Sequence, residues 1–184
     1  MSNLEYHKEV TLKDGRECIL RNGTEDDARE VLDIFNLTHA ETDFLLSYPD
    51  ENSFDVKQEG EFLRAKTESD NEIEIVAVID GRIAGTAGIT AVGSRYKVKH
   101  RADFGIGIAK EFWGLGIGRA LTEACIECAG KAGYTQLELE VMASNLNAVA
   151  LYKNVGFTEY GRNPKGFYSR TDGYRELIYM KLEM

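Results

Sequence analysis

Three glycines, Gly114, Gly116 and Gly118, fall within the run Phe112-Trp113-Gly114-Leu115-Gly116-Ile117-Gly118-Arg119-Ala120. The run follows a strand pattern and opens a helical one. Its backbone N–H groups can therefore approach a ligand closely, and the helix start adds the positive end of a dipole. That combination predicts an anion site, most naturally for phosphates. Spacing separates the loops that could serve. A G-x-x-x-x-G-K-[ST] loop fails, because Arg119-Ala120 stand where the lysine and hydroxyl should be. A G-x-G-x-x-G dinucleotide loop fits poorly, with Leu121 at its third glycine and Lys110 to Leu115 between the strand and Gly116. Glu138 and Glu140, about 20 residues downstream, keep that reading open. A turn that only eases helix–sheet packing is the blander alternative.

Further on, Gln136–Met142 alternates as a strand, with Leu137, Leu139 and Val141 facing one way and Glu138 and Glu140 the other. A carboxylate on that polar face could act as a base or simply be solvated. Asn145 and Tyr152 are seven positions apart on a short helical pattern. They share a face about 10 Å apart along the axis. Asn145 is also a candidate N-cap, with Ser144 its competitor, and Tyr152 a candidate core or rim aromatic. Cys125-x-x-Cys128 invites a redox or zinc reading. The pair lies inside a helical pattern rather than at a helix start, and no second ligand pair exists. His7, His39 and His100 are not spaced to complete a site, so the cysteines read as buried structural thiols and no metal is expected.

The elements that must position these groups alternate along the chain. Arg16–Arg21 reads as a strand, and Thr24 with Asp27 as the cap of a helix carrying Ala28, Val31, Leu32, Ile34 and Phe35. The stretch Asn36–Asp70 is ambiguous apart from a helix over about Val56–Glu68. Glu72–Ile79 and Arg82–Val92 form a hairpin through Asp80-Gly81. A glycine-containing strand, Arg101–Ala109, precedes the loop, and a helix over Gly116–Ala132 ends at Gly133. After Gln136–Met142 come a helix over Asn145–Asn154 and closing strands at Phe157–Tyr160 and Tyr174–Lys181. This is a mixed α+β, or α/β, layered architecture.

With 184 residues, 43% of them hydrophobic and 29% charged, the chain suits one globular domain over 1–184. Its formal charge of −9 disfavours nucleic acid and anionic membranes as partners. No stretch is apolar enough to span a bilayer, and Met1–Val10 has no signal-peptide core, so a cytoplasmic location is expected.

Trp113-x-x-Gly116-x-Gly118 resembles the pyrophosphate-binding loop of the GNAT (Gcn5-related) N-acetyltransferases, Q/R-x-x-G-x-G/A, with Trp113 in place of the usual first residue. Leu137-Glu138-Leu139-Glu140-Val141 through Asn145, Leu151-Tyr152 and Gly156-Phe157 resembles that family's L-E-V…N…LY…GF segment, especially in the ribosomal-protein N-terminal acetyltransferases. The two motifs together cover roughly residues 101–160. The resemblance implies a GNAT fold, a mixed and mostly antiparallel sheet flanked by helices and splayed where the cofactor enters. It implies acetyl-CoA as co-substrate, with the pyrophosphate on Trp113, Gly114, Leu115, Gly116, Ile117, Gly118, Arg119 and Ala120. Backbone groups of Ile106 and Ile108 and the Asn145 amide would meet the rest of the cofactor.

Acetyl transfer needs a neutral amine, a protonated thiolate leaving group and a stabilised oxyanion. Glu140 is the candidate base, with Asp103 its rival, and Tyr152 the candidate acid. The implied acceptor is a primary amine of a small molecule or a protein N-terminus. Its pocket is expected between Leu37–Phe62 and Phe167–Tyr174. Glu41, Asp43, Asp50 and Glu51 there hint at a cationic amine, though a solvated loop accounts for them as well. A homodimer is compatible with the resemblance, and a non-catalytic acyl-CoA sensor of the same fold is the alternative function.

Overall fold

The computed structural model describes residues 3–184. An antiparallel pair, β1 (His7–Thr11) and β2 (Glu17–Asn22), leads into helices α1 (Ala28–Glu41) and α2 (Val56–Thr67). The hairpin β3 (Ile73–Ile79) and β4 (Arg82–Ala91) precedes β5 (Arg101–Ile108) and α3 (Ile117–Lys131). Then come β6 (Gln136–Met142), α4 (Leu146–Asn154) and the hairpin β7 (Thr158–Ser169) and β8 (Gly173–Glu183). Among the described residues the strands form one sheet in the order β1-β2-β3-β4-β5-β6-β8-β7.

Local chemistry explains the boundaries. Asp80 and Gly81 both adopt positive φ (50° and 74°), as a tight two-residue hairpin requires. Asp55 and Gln58 cap α2 reciprocally: the Gln58 amide donates to Asp55 Oδ1 (2.8 Å) and the Asp55 amide to Gln58 Oε1 (3.0 Å). Thr24 and Asp27 form a capping box ahead of α1. Helices α1 and α2 lie on one face of the sheet and α3 and α4 on the other. A β-carbon at Gly107 would touch Thr38 of α1, whereas one at Gly118 of α3 would touch Ile108 and Leu151.

Every pairing is antiparallel except β5 with β6. That parallel pairing covers only Arg101↔Gln136, Ala102↔Leu137 and Asp103↔Glu138. Beyond it the two strands part, leaving the second half of β5 without a neighbour on that side. The splayed mixed sheet expected from the sequence is therefore present.

Three local expectations need correction. Strand β1 lies where the sequence carried no strand signal, because an edge strand with both faces largely exposed has little hydrophobic alternation. The closing strands are longer than expected. Register irregularities at Glu159/Gly161 and Asn163/Phe167 let β7 continue through polar, exposed residues around Pro164. Finally, Glu138 is not on a solvated face. It is buried (6% exposed) under a forked ion pair from Arg101, 2.7 Å at the shortest contact, whereas Glu140 is exposed. Periodicity shows which side a residue faces, not what later covers it.

Candidate active site

The opening between β5 and β6 is lined by backbone. The Arg101 carbonyl and Ala109 amide bond to Val92 and Ala84 on the β4 side (3.0 and 2.9 Å). Alternation along an antiparallel strand then turns the N–H and C=O groups of Ile106 and Ile108 away from β4, into the gap. The Ile108 carbonyl accepts from the Trp113 indole Nε1 at 2.8 Å, which pins the following loop to the mouth of the gap.

Gly114 and Gly116 take positive φ (78° and 96°), a conformation that side chains resist, and Gly116 caps α3. The Leu115 carbonyl accepts from Lys13 N (3.1 Å), tying the loop to the β1–β2 turn. The first intrahelical bond runs from Ala120 N to Gly116 O, so the Ala120 amide is already used. The amides of Ile117, Gly118 and Arg119 are those a helix start leaves without partners. The Arg119 guanidinium pairs with Glu123 at 2.9 Å. A pocket of about 240 Å³ adjoins this helix start, lined in part by Lys13, Leu115, Gly116 and Arg119.

On the α3/α4 face, Tyr152 is buried (7% exposed). Its ring meets Phe104 edge-on at 6.0 Å and lies 5.9 Å from Phe157. Burial pushes the phenol up to about 12, so it keeps its proton at neutral pH. Asn145 heads α4, half-buried and without a side-chain cap hydrogen bond. Cys125 and Cys128 are fully buried in α3, and burial raises both thiols, the state of inert structural cysteines.

The α1/α2 face presents the carboxylates in rows. Thr90 of β4, Asp103 of β5 and Glu138 of β6 share one row, with Lys66 of α2 donating to Thr90 and Arg101 gripping Glu138. Burial raises the Asp103 carboxyl, as does Glu138 beside it, while Arg101 opposes the rise. Glu140 lies two residues beyond the last β5–β6 pair, at the opening itself. Tyr152 and Glu140 therefore flank the gap from opposite faces of the sheet.

The segments expected to frame the acceptor do meet. Asp43 accepts from the Tyr48 and Ser169 hydroxyls, and Arg170 donates from its amide to Tyr48 Oη (3.0 Å) and from its guanidinium to Asp50 (3.0 Å). Glu41 caps the Lys110 amide, and Glu51 the Tyr48 amide. All four acidic residues singled out there have structural work, so none is evidence for a cationic acceptor.

Sequence reading missed Glu74 on β3. Its carboxyl lies over Gly88, where any β-carbon would collide with Oε2. Burial pushes it up to about 7 against the Thr86 hydroxyl and Lys66 ammonium, with Glu59 adding a smaller upward push. Because the unfolded carboxyl titrates near about 4.3, the folded chain binds more protons between that pH and 7, and stability falls as pH rises through the window. Glu74→Gln is expected to be near neutral at pH 4 and stabilising on the order of 2 kcal/mol at pH 8. Urea unfolding at both pH values checks this; an equal effect at both would refute it.

A helix N-terminus at the mouth of two diverging strands brings unpartnered backbone N–H groups together where an anionic ligand can be received. Residues 32–157, more than half of the chain, match the Acetyltransferase (GNAT) family, and the chain belongs to that family. Over 79 residues it is 40% identical to the ribosomal protein bS18-alanine N-acetyltransferase of Escherichia coli (strain K12), covering 43% of this chain and 53% of that protein. Over 108 residues it is 33% identical to the L-amino acid N-acetyltransferase AaaT of the same organism, covering 58% and 65%. The chain thus spans about half the length of the bS18-alanine N-acetyltransferases it matches. Among solved structures, an acetyltransferase of the GNAT family from Streptococcus pneumoniae superposes with a TM-score of 0.87 at 32% identity, over 91% of this chain and 99% of that one. The fold is also that of yncA from Salmonella typhimurium, solved with its cofactor acetyl-CoA, at a TM-score of 0.80 and 17% identity over 90% and 93% of the two chains.

Proposed function

We propose that the protein is an acetyl-CoA-dependent N-acetyltransferase that moves the acetyl group directly to a primary amine. One observation carries this: the gap between β5 and β6 is lined by spare backbone groups, closed at one end by the α3 N-terminus, and flanked by Glu140 and Tyr152. The residues fit the cofactor. The amides of Ile117, Gly118 and Arg119 would hold the pyrophosphate, and the backbone of Ile106 and Ile108 with the Asn145 amide would hold the pantetheine arm. When bound, acetyl-CoA supplies an acetyl group activated as a thioester.

Glu140 takes a proton from the acceptor ammonium, directly or through a water, so that the nitrogen can act as nucleophile. Its place at the opening favours it over Asp103, which sits where β5 and β6 are still paired. Tyr152 holds its proton on Oη, poised for the departing sulfur. The Ile106 amide faces the same gap and can stabilise negative charge developing on an acetyl oxygen. The relatives named for alanine N-terminal and amino-acid acetylation support an amine acceptor, either a small molecule or a protein N-terminus.

The test is a panel of amines assayed with acetyl-CoA, using wild type, Glu140→Gln and Asp103→Asn. Transfer is expected for some amine, with Glu140→Gln lowering kcat about a hundredfold and Asp103→Asn far less. The reverse order would reassign the base. Binding of acetyl-CoA without transfer to any amine would mark an acyl-CoA-binding module instead.

A further inference from the structure

Glu74, Gly88, Gly105 and Glu140 occupy one row across the α1/α2 face. Glu74 pairs with Gly88 and Gly88 with Gly105, and extending Asp103↔Glu138 by two residues sets Glu140 opposite Gly105. Between the two carboxylates the floor carries no side chain. Residue 105 is exposed, and a β-carbon built there would meet nothing within 4 Å. Two strand spacings separate β3 from β5 by roughly 10 Å, and the gap where β5 and β6 part adds more than a third spacing before Glu140. The Glu74 carboxyl shortens that span by reaching over Gly88.

The flanking charges are already matched. Lys66 Nζ donates to Glu72 (3.0 Å), Thr90 (2.8 Å) and the Ile89 carbonyl (3.3 Å), which uses its three donors. Arg101 is engaged by Glu138. Glu59 of α2, near enough to add to the rise of the Glu74 carboxyl, is only 7% exposed and has no salt bridge or side-chain hydrogen bond among the described residues. Burying a carboxylate without a partner is costly. Here a half-buried carboxyl and a buried one sit at one end of the trough over Gly88 and Gly105, whose other end is the proposed reaction centre.

We infer that this trough seats the acceptor, and that Glu74, backed by Glu59, holds the distal ammonium of a diamine or longer polyamine whose other amine meets Glu140. The inference rests on the acetyltransferase reading above. An amine carrying its own carboxylate would set that group against Asp103 and Glu140; a diamine meets attraction at both ends. A monoamine of the same length fills only the Glu140 end.

The experiment compares cadaverine with n-pentylamine as acceptors for wild type, Glu74→Gln and Glu59→Gln. Calorimetric titration of both amines into the CoA-loaded protein runs alongside and needs no turnover. Wild type is expected to favour the diamine at least about tenfold in kcat/KM and in affinity, the scale of one charge-assisted contact. Glu74→Gln should collapse that preference toward unity through the diamine's KM, with Glu59→Gln giving a smaller loss. Unfolding curves identify any variant that fails to fold, in which case the other variant decides.

Turnover of amines with no diamine preference overturns this inference and leaves the proposed function standing. A diamine preference in binding without turnover of any amine does the reverse. Retention of the preference in both variants also overturns it.

Discussion

Replacing Gly116 by Asp is expected to weaken acetyl-CoA binding by about a hundredfold or more. Two costs act together. The residue sits at φ 96°, where a β-carbon is strained by about 1–2 kcal/mol. The new carboxylate would also stand at the helix start, beside the amides of Ile117 and Gly118, where the cofactor's pyrophosphate is proposed to lie. Two anions about 4 Å apart repel by about 4 kcal/mol at an effective dielectric near 20. Gly116→Ala separates the costs, since it keeps the strain and omits the charge, and should lose only a few-fold. The readout is built in: Trp113 is the only tryptophan of the chain, it lies in the loop, and it is half-exposed. Its emission should change on titration with acetyl-CoA. Wild-type affinity in Gly116→Asp would show that the loop does not hold the cofactor's phosphates.

Tyr152→Phe is expected to lower kcat by about a hundredfold while leaving the affinity for acetyl-CoA within about twofold. The ring packs against Phe104 and Phe157, and phenylalanine preserves those contacts. What is removed is the proton on Oη. Since burial holds that phenol near 12, the wild-type rate should show no loss of an essential acid as pH rises to 10. Unchanged turnover in the variant, measured on a verified acceptor, would remove Tyr152 from the acid role and leave it a packing residue.

Much of the fold was legible because its signals are local. The Asp80-Gly81 turn, the Thr24 cap and the glycine before α3 each act over a few residues, and the structure has all of them where expected. The glycine loop proposed to receive the cofactor was legible for the same reason, since consecutive backbone amides at a helix start are continuous in sequence. The edge strand β1 and the irregular β7–β8 hairpin were not, because their residues are exposed and carry little periodicity.

The acceptor side shows the other limit. The acidic residues that stand out in the sequence, Glu41, Asp43, Asp50 and Glu51, turn out to bind their own chain. Glu74 and Glu59 stood out in no motif, and it is the tertiary structure that raises both carboxyls by burial. Glu138 and Glu140 looked equivalent on one strand face, and only the covering Arg101 separates an ion-paired carboxylate from an available one.

The sequence by itself thus determined the family, the glycine loop ahead of α3 and the residue types available for proton transfer, all of which depend on spacing along one segment. Only the tertiary structure decided which carboxylates are used up and which remain. It alone aligned Glu74, Gly88, Gly105 and Glu140, because a row across a sheet is made by register between strands far apart in the chain, and no local pattern records it.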